Sequence, residues 1–291
     1  ILPQASPRMF LALGVAGLIL LAGTDLSIGR MVGMGMTAAT IIMHNGPNTG
    51  SVFGKVFDFT GMPLLGRVFF ALIVCIVLCT IFTTIAGFFT AKFKMHPFIS
   101  TMANMLVIFG LVTYSTKGVS FGAIDTNIPA MIIPRIGSFP TIILWAVAAV
   151  VVVWFIWNKT TFGKNMFALG ANEEAARVSG VNVFATNIMV FALAGAMYGF
   201  TGFIEGARIG SNTANTGLNY ELDAIAACVI GGVSFVGGTG KISGIVLGVF
   251  VLRIIFVALS MLGIDPSMQY IIKGGIILFA CALDMRKYLA K

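Results

Sequence analysis

Residues 68–89 read VFFALIVCIVLCTIFTTIAGFF, 22 positions without one charged side chain. As a helix this stretch rises about 33 Å, enough to cross the roughly 30 Å hydrocarbon core of a bilayer. Apolar side chains occupy every side of it, which leaves no face for water. Comparable runs cover 97–114, 140–157, 185–204, 242–262 and 270–283. Three further apolar pieces, 9–22, 31–43 and 222–236, are shorter than a full span and predict tilted or discontinuous segments. Backbone that leaves the helix at membrane depth needs protein or a water-filled cavity around it. These short pieces and their flanks, 23–30 and 237–243, are therefore expected at the centre of the bundle. The fold class read from this pattern is all-α: a polytopic membrane helix bundle of about nine segments, forming one domain over residues 1–291. Ile1–Pro7 has no character of a targeting segment, and a further N-terminal stretch ahead of Ile1 is expected.

Of the 291 residues, 58% are apolar and 10% charged, with a mean hydropathy of +1.01. Soluble domains carry about 25% charged residues. That contrast excludes a water-facing enzyme, a disordered tail and a nucleic-acid-binding domain, despite a net charge of +8. Basic residues instead report topology. Lys92 and Lys94, then Lys159, Lys164 and Arg177, then Arg286, Lys287 and Lys291 form three groups expected in the cytoplasm. Loops 44–66, 115–139 and 206–221 then fall outside, with Lys55, Arg67, Lys117, Arg135 and Arg208 as minority positive charges there. Cys75, Cys79, Cys228 and Cys281 lie in apolar runs and read as small hydrophobes.

Chemistry-bearing constellations are sparse. His44 and His96 fall on opposite sides of this map and suit neither a metal cluster nor a catalytic triad, so no catalytic or metal site is expected. Gly237-Gly238-Thr239-Gly240-Lys241 imitates part of a phosphate-binding loop. Phe235 stands where the first glycine is required and Ile242 where the hydroxyl is required. ATP binding by this chain is not expected.

The polar stretch 158–182, NKTTFGKNMFALGANEEAARVSGVN, predicts a short helix. Asn172 suits its N-cap, Glu173 and Glu174 its first turn, Arg177 its last, and Gly180 its stop. Two readings stand: a solvated linker, or a docking helix offering Ala175, Ala176 and Val178 to a groove on a cytoplasmic partner.

Several segments resemble one family, the membrane permeases of ATP-binding-cassette importers for monosaccharides and branched-chain amino acids. Thr24-Asp25-Leu26-Ser27-Ile28-Gly29 is similar to its D-L-S-x-G signature, and His96-Pro97-Phe98-Ile99-Ser100-Thr101 to its P-F-I-x-T segment. Tyr220-Glu221-Leu222-Asp223-Ala224-Ile225-Ala226-Ala227 with Gly231-Gly232 resembles its most distinctive run; Gln269-Tyr270-Ile271-Ile272-Lys273-Gly274 and Ala282-Leu283-Asp284 complete the likeness. Within the family, the stretches around Trp157–Asn165 and Val178–Val183 are most similar to galactose and methylgalactoside permeases, with ribose permeases close by. Thr101-Met102-Ala103-Asn104-Met105 departs from a T-L-G-T-M pattern, and Arg253 interrupts an apolar span.

The start, Ile1-Leu2-x-Gln4-x-Ser6, resembles the family's segment after its first span. The resemblance thus implies a further span ahead of Ile1, ten in all, in the bacterial inner membrane with both termini of the full-length chain cytoplasmic. Two copies would form the path among membrane lipid. Two ATP-binding subunits, or one fused tandem ATPase carrying ATP and magnesium, would dock on the cytoplasmic loop 158–184. The coupling residues would be Gly170, Ala171, Asn172, Glu173, Glu174, Ala175, Ala176, Arg177, Val178, Ser179 and Gly180. A periplasmic sugar-binding protein would deliver ligand. Polar residues at membrane depth usually face the interior, which makes Asp25, Ser27, Thr101, Asn104, Glu205, Glu221 and Asp223 candidates for the path. Asp25 and Ser27 read equally as caps of a broken helix, and Glu205 and Asp223 as headgroup-level residues or helix caps paired with Arg208. Arg253 suits snorkelling or an ion pair. Glycines at four-residue spacing, 195/199, 202/206/210 and 240/244/248, predict close helix packing, within the chain or across a two-fold axis. Ribose, another pentose, a nucleoside or a branched-chain amino acid remain alternative cargoes, and an ion-coupled secondary sugar transporter an alternative class.

Overall fold

The computed structural model describes residues 1–45, 52, 58–118, 121–122 and 124–289; Lys55, Lys291 and parts of loops 44–66 and 115–139 lie outside them. Among the described residues the architecture is helical. In chain order the helices are α1 (Leu2–Leu20), α2 (Ile28–Ile42), α3 (Leu64–Phe93), α4 (Pro97–Thr116), α5 (Ile128–Ile132), α6 (Ile142–Lys159), α7 (Thr161–Ala171), α8 (Glu173–Val178), α9 (Val183–Ile209), α10 (Tyr220–Ile230), α11 (Ile242–Met261) and α12 (Pro266–Leu289). Four two-residue strands make two antiparallel pairs: β1 (Phe121–Gly122) with β4 (Ser211–Asn212), and β2 (Arg135–Ile136) with β3 (Phe139–Pro140).

Six of the nine expected segments, α3, α4, α6, α9, α11 and α12, are long and apolar enough to cross a membrane. The other three differ from their expected bounds. Helix α1 begins seven residues before the apolar run, because Pro3 near its start has the φ a first turn needs. Helix α10 ends early, at Ile230, where Gly231-Gly232 turns the chain with Gly232 at φ +81°. Helix α1 is buried without interruption from Met9 to Leu20 and packs against α6, α9, α10 and α11. A helix apolar on every side is stable only when surrounded. The short pieces thus form the interior.

Helix α3 shows how an all-apolar segment is sorted. Leu65, Phe69, Ile73, Val77, Ile81 and Ile85 form one exposed stripe at four-residue spacing. The opposite stripe, Ala71, Cys75, Cys79, Thr83 and Gly87, is buried and built of small residues. Size, not polarity, separates the two faces. The small stripe meets the glycines of α9: a Cβ on Gly199 would lie 2.3 Å from the Cys75 carbonyl oxygen, and one on Gly195 2.7 Å from that of Cys79. Helix α2 closes the triangle, with Gly202 against Gly35 and the Cys75 and Cys79 thiols donating to the carbonyls of Gly35 and Met31 at 3.1 and 3.3 Å. Gly244 and Gly248 likewise seat on the carbonyls of Gly231 and Ala227, joining α11 to α10. All three ridges serve packing within the chain.

The two groups of loops predicted from charge separate to opposite ends. At one end, β1 pairs with β4, Ile124 bridges to His44, and Arg67 donates to the His44 carbonyl at 3.0 Å while lying 3.6 Å from Asp125. At the other, Lys94 neighbours Glu174, and Gly23 packs on Pro97. His96 caps α4, its Nδ1 accepting from the Phe98 amide at 3.3 Å.

Candidate functional site

The polar loop folds as two short helices. Thr160 caps α7 by accepting from the Gly163 amide at 3.2 Å, and Asn172 caps α8 by accepting from the Ala175 amide at 3.0 Å. Glu174 and Arg177 form an exposed ion pair one turn apart, and the guanidinium holds the Glu174 carboxyl below its ordinary range. Helix α8 ends in a Schellman motif: the Val181 amide donates to the Ala176 carbonyl and the Gly180 amide to Arg177, with Gly180 at φ +85°. This turn rotates Ala176 inward, where it is 4% exposed, while Val178 is 88% exposed. The expected outward trio is corrected accordingly. Ala175 and Val178 face out with Glu173, Glu174 and Arg177, and Ala176 packs toward the protein. Ser179 lies exposed just before the turn.

Gly170 and Ala171, at the end of α7, sit on a junction the sequence did not disclose. A Cβ on Gly170 would fall 1.9 Å from the Leu20 carbonyl oxygen, which itself accepts from the Gly238 amide at 2.9 Å. Gly237 and Gly238 have φ of +94° and +70° and pack on Gly170 and Ala171. The glycine run that imitates a phosphate loop is therefore a tight seat for the base of α8. Asp284 of α12 secures it from behind, accepting from the Ser234 hydroxyl at 3.0 Å and the Phe235 amide at 3.1 Å. Only the unexplained glycines and the terminal Ala-Leu-Asp signalled this joint.

The seven membrane-depth candidates divide into groups. Asp25 accepts from the Ser27 amide at 2.7 Å and its hydroxyl at 2.6 Å, forming the turn into α2, with both residues fully buried. Thr101 accepts from the Leu26 amide at 3.2 Å, and Asn104 lies buried one turn further along α4. Ser27 holds the N-cap position without a side-chain capping bond. These four therefore cluster where the chain between α1 and α2 leaves the helix. Glu221 is separate, beside Gly29 and Arg30.

Glu205 and Asp223 belong to a buried ion network. Glu205, 1% exposed, pairs with Arg208 at 2.5 Å and Arg8 at 3.9 Å. Asp223 pairs with Lys273 at 2.5 Å and Arg8 at 3.6 Å, so its expected partner, Arg208, is corrected to these two. Arg8 also lies over the Tyr220 ring, 3.5 Å from its centroid. Arg253, expected to snorkel or form an ion pair, donates to the Gln4 side-chain oxygen at 2.9 Å. The pairing of Arg8 and Lys273 with these carboxylates escaped the sequence reading because the partners lie on different helices.

The family model described as branched-chain amino acid transport system / permease component matches residues 1–281. The galactose/methyl galactoside import permease of Treponema pallidum (strain Nichols) is 49% identical over 100% of this chain and 56% of its own length. The corresponding permease of Salmonella typhimurium is 45% identical over 100% of this chain and 87% of its own. The ribose import permease of Bacillus subtilis (strain 168) is 33% identical over 99% and 84%. No solved structure matches the chain. An interior of short helices, a buried ion network and a capped loop helix at one end thus sit on a sequence matched over nearly its whole length, and the chain belongs to the family of branched-chain amino acid transport system permease components.

Proposed function

We propose that this chain is the transmembrane subunit of an ATP-driven importer for a monosaccharide, with galactose or a methylgalactoside as cargo. The observation that carries the cargo is the gradient of similarity: 45–49% identity to the two galactoside permeases against 33% to the ribose permease. In this reading two copies enclose the path in a bacterial inner membrane, with the α8 end cytoplasmic. A periplasmic sugar-binding protein supplies ligand at the β1–β4 end. Two ATP-binding subunits, or one fused tandem ATPase, hold ATP and magnesium and seat on α8. The chain itself makes and breaks no covalent bond.

Its residues would act mechanically. Closure of the ATPases displaces α8, and the Gly170–Leu20–Gly238 seat passes that displacement to the buried α1 and, through Asp284, to α12. The mixed-sign exposed face of α8, Glu173, Glu174 and Arg177 around Val178, suits a groove with an apolar floor and a polar rim. Co-reconstitution with the ATPase and binding protein tests this reading. Replacing Glu174 and Arg177 with alanine and deleting the two residues between them should abolish ATP-coupled uptake; retention of coupled uptake would sink the docking role. Uptake by this chain alone, driven by an ion gradient, would instead favour a secondary transporter.

A smaller effect follows from the cap. Asn172→Ala removes the bond to the Ala175 amide and costs α8 about 1 kcal/mol. Sugar-stimulated ATP hydrolysis should fall while the chain's thermal stability stays unchanged, since α8 is six residues at the surface. The Glu174 carboxyl, held low by Arg177, stays ionised throughout the neutral range. The pair is intact above the ordinary carboxylate range and is lost only as pH falls through the lowered value. Coupling measured from mildly acidic to mildly alkaline pH should show no titration from this pair.

A further inference from the structure

Between the start of α1 and the facing sides of α10, α11 and α12 lies a cleft of about 390 Å³. Its size falls in the range of small-molecule sites, roughly 300–1,000 Å³. We propose that this cleft is a binding site for a neutral polyhydroxylated ligand, the size of one monosaccharide. This inference rests on the importer reading and gives it a location within the subunit.

The chemistry of the walls selects the ligand class. Asp223 contributes only acceptors, and Arg253 and Lys273 only donors, while the amides of Gln4 and Gln269 contribute both. The Arg253 Nε is buried without a hydrogen-bond partner among the described residues, although Nη2 of the same group is held by Gln4 at 2.9 Å. Gln269 is positioned by its own donation to the Ile264 carbonyl at 3.0 Å. A hydroxyl group both donates and accepts, so adjacent hydroxyls answer a carboxylate and a guanidinium at once. A phosphate could engage Arg253 and Lys273, but it has no C–H face for the apolar part of the wall, and Asp223 already occupies Lys273 at 2.5 Å. Phe256 and Tyr270 supply the flat apolar surface against which the C–H face of a sugar ring packs, and their rings already flank Lys273 at 5.0 and 5.5 Å.

One wall of the cleft is lightly covered by the rest of the chain. Helix α12 is covered by the rest of the chain over only 6% of its apolar window, and its Lys273 is tied to α10 by the 2.5 Å pair with Asp223. A ligand hydroxyl accepting from Lys273 or donating to Asp223 competes with that tie. Binding in the cleft and the position of α12 are thereby linked.

The test uses the full complex, with ATPase and binding protein, in vesicles. Val257 lines the cleft without contributing a polar group. Val257→Cys is placed in a Cys281→Ala background, because Cys281 is the half-buried thiol while Cys75, Cys79 and Cys228 are buried. Galactose should slow maleimide labelling at position 257 severalfold, and inorganic phosphate should not. Arg253→Met should remove this protection and lower galactose uptake about tenfold, the scale of one lost hydrogen bond to a charged group; Arg253→Lys should restore part of both. Intact galactose uptake with no protection by galactose overturns the cleft and leaves the importer reading standing. Protection by phosphate or by anionic-lipid vesicles in place of galactose overturns the ligand class. Absence of ATP-coupled galactose uptake by the unsubstituted complex defeats the importer reading, and the cleft assignment falls with it.

Discussion

Gly199→Val should lower the melting temperature of the purified subunit by about 5 °C or more, or prevent its accumulation in the membrane altogether. The added Cβ alone would lie 2.3 Å from the Cys75 carbonyl oxygen and 2.7 Å from the Ile76 Cα. Both obstacles are backbone, so no rotamer change on α3 relieves them. Overpacking typically costs 1–3 kcal/mol, and here helices α3 and α9 must separate along their shared length, which places the cost at about 3 kcal/mol or above. Loss of the contact also releases α2, because Gly202 packs on Gly35 in the same triangle. Gly110 offers the control: on α4, a Cβ there meets nothing within 4 Å, and Gly110→Ala should leave the melting temperature in place. An unshifted melt for Gly199→Val, with normal expression, would show that the α3–α9 contact does not limit stability.

The second large effect is expected at Glu205. Its carboxylate, 1% exposed, faces both Arg208 and Arg8. Burying an ion pair contributes little net stability, because desolvation offsets attraction, yet removing one partner strands the other. Glu205→Gln keeps the shape and deletes the charge. Breaking such a pair costs about 3–5 kcal/mol in proteins, and the lower end applies because Arg8 retains Asp223 at 3.6 Å and Arg208 is 37% exposed. Adding Arg208→Gln should recover part of the loss. That recovery separates electrostatic coupling from simple misfolding, since two independent destabilisations would add. Melting curves of the two single variants and the double variant suffice. Strict additivity would show that Glu205 and Arg208 are not coupled.

Much of the polar loop 158–182 was legible in advance because caps are local. Asn172, Glu174, Arg177 and Gly180 act through bonds within a few residues, and each does so in the structure. The facing of Ala176 was not legible, because it depends on how the Schellman turn hands the chain to α9. The path candidates were legible only as polar residues at depth. Asp25 and Ser27 sit close in sequence and form one turn; Asp223 and Lys273 are fifty residues apart and meet only when α10 and α12 pack.

The amino-acid sequence by itself determined that this is a membrane protein, where its long apolar helices run, which loops share an end, and how its loop helix is capped. Each of these rests on hydropathy, charge or hydrogen bonding over a short stretch of chain. The tertiary structure alone decided which side of each helix faces protein, which cation neutralises which carboxylate, and that the glycine ridges close within one chain. The reason lies in the solvent. Where lipid and protein interior are equally apolar, a helix such as α3 has no polar face to report its orientation. Only the shape of its neighbours, small residues against glycine and backbone against backbone, then sets its rotation.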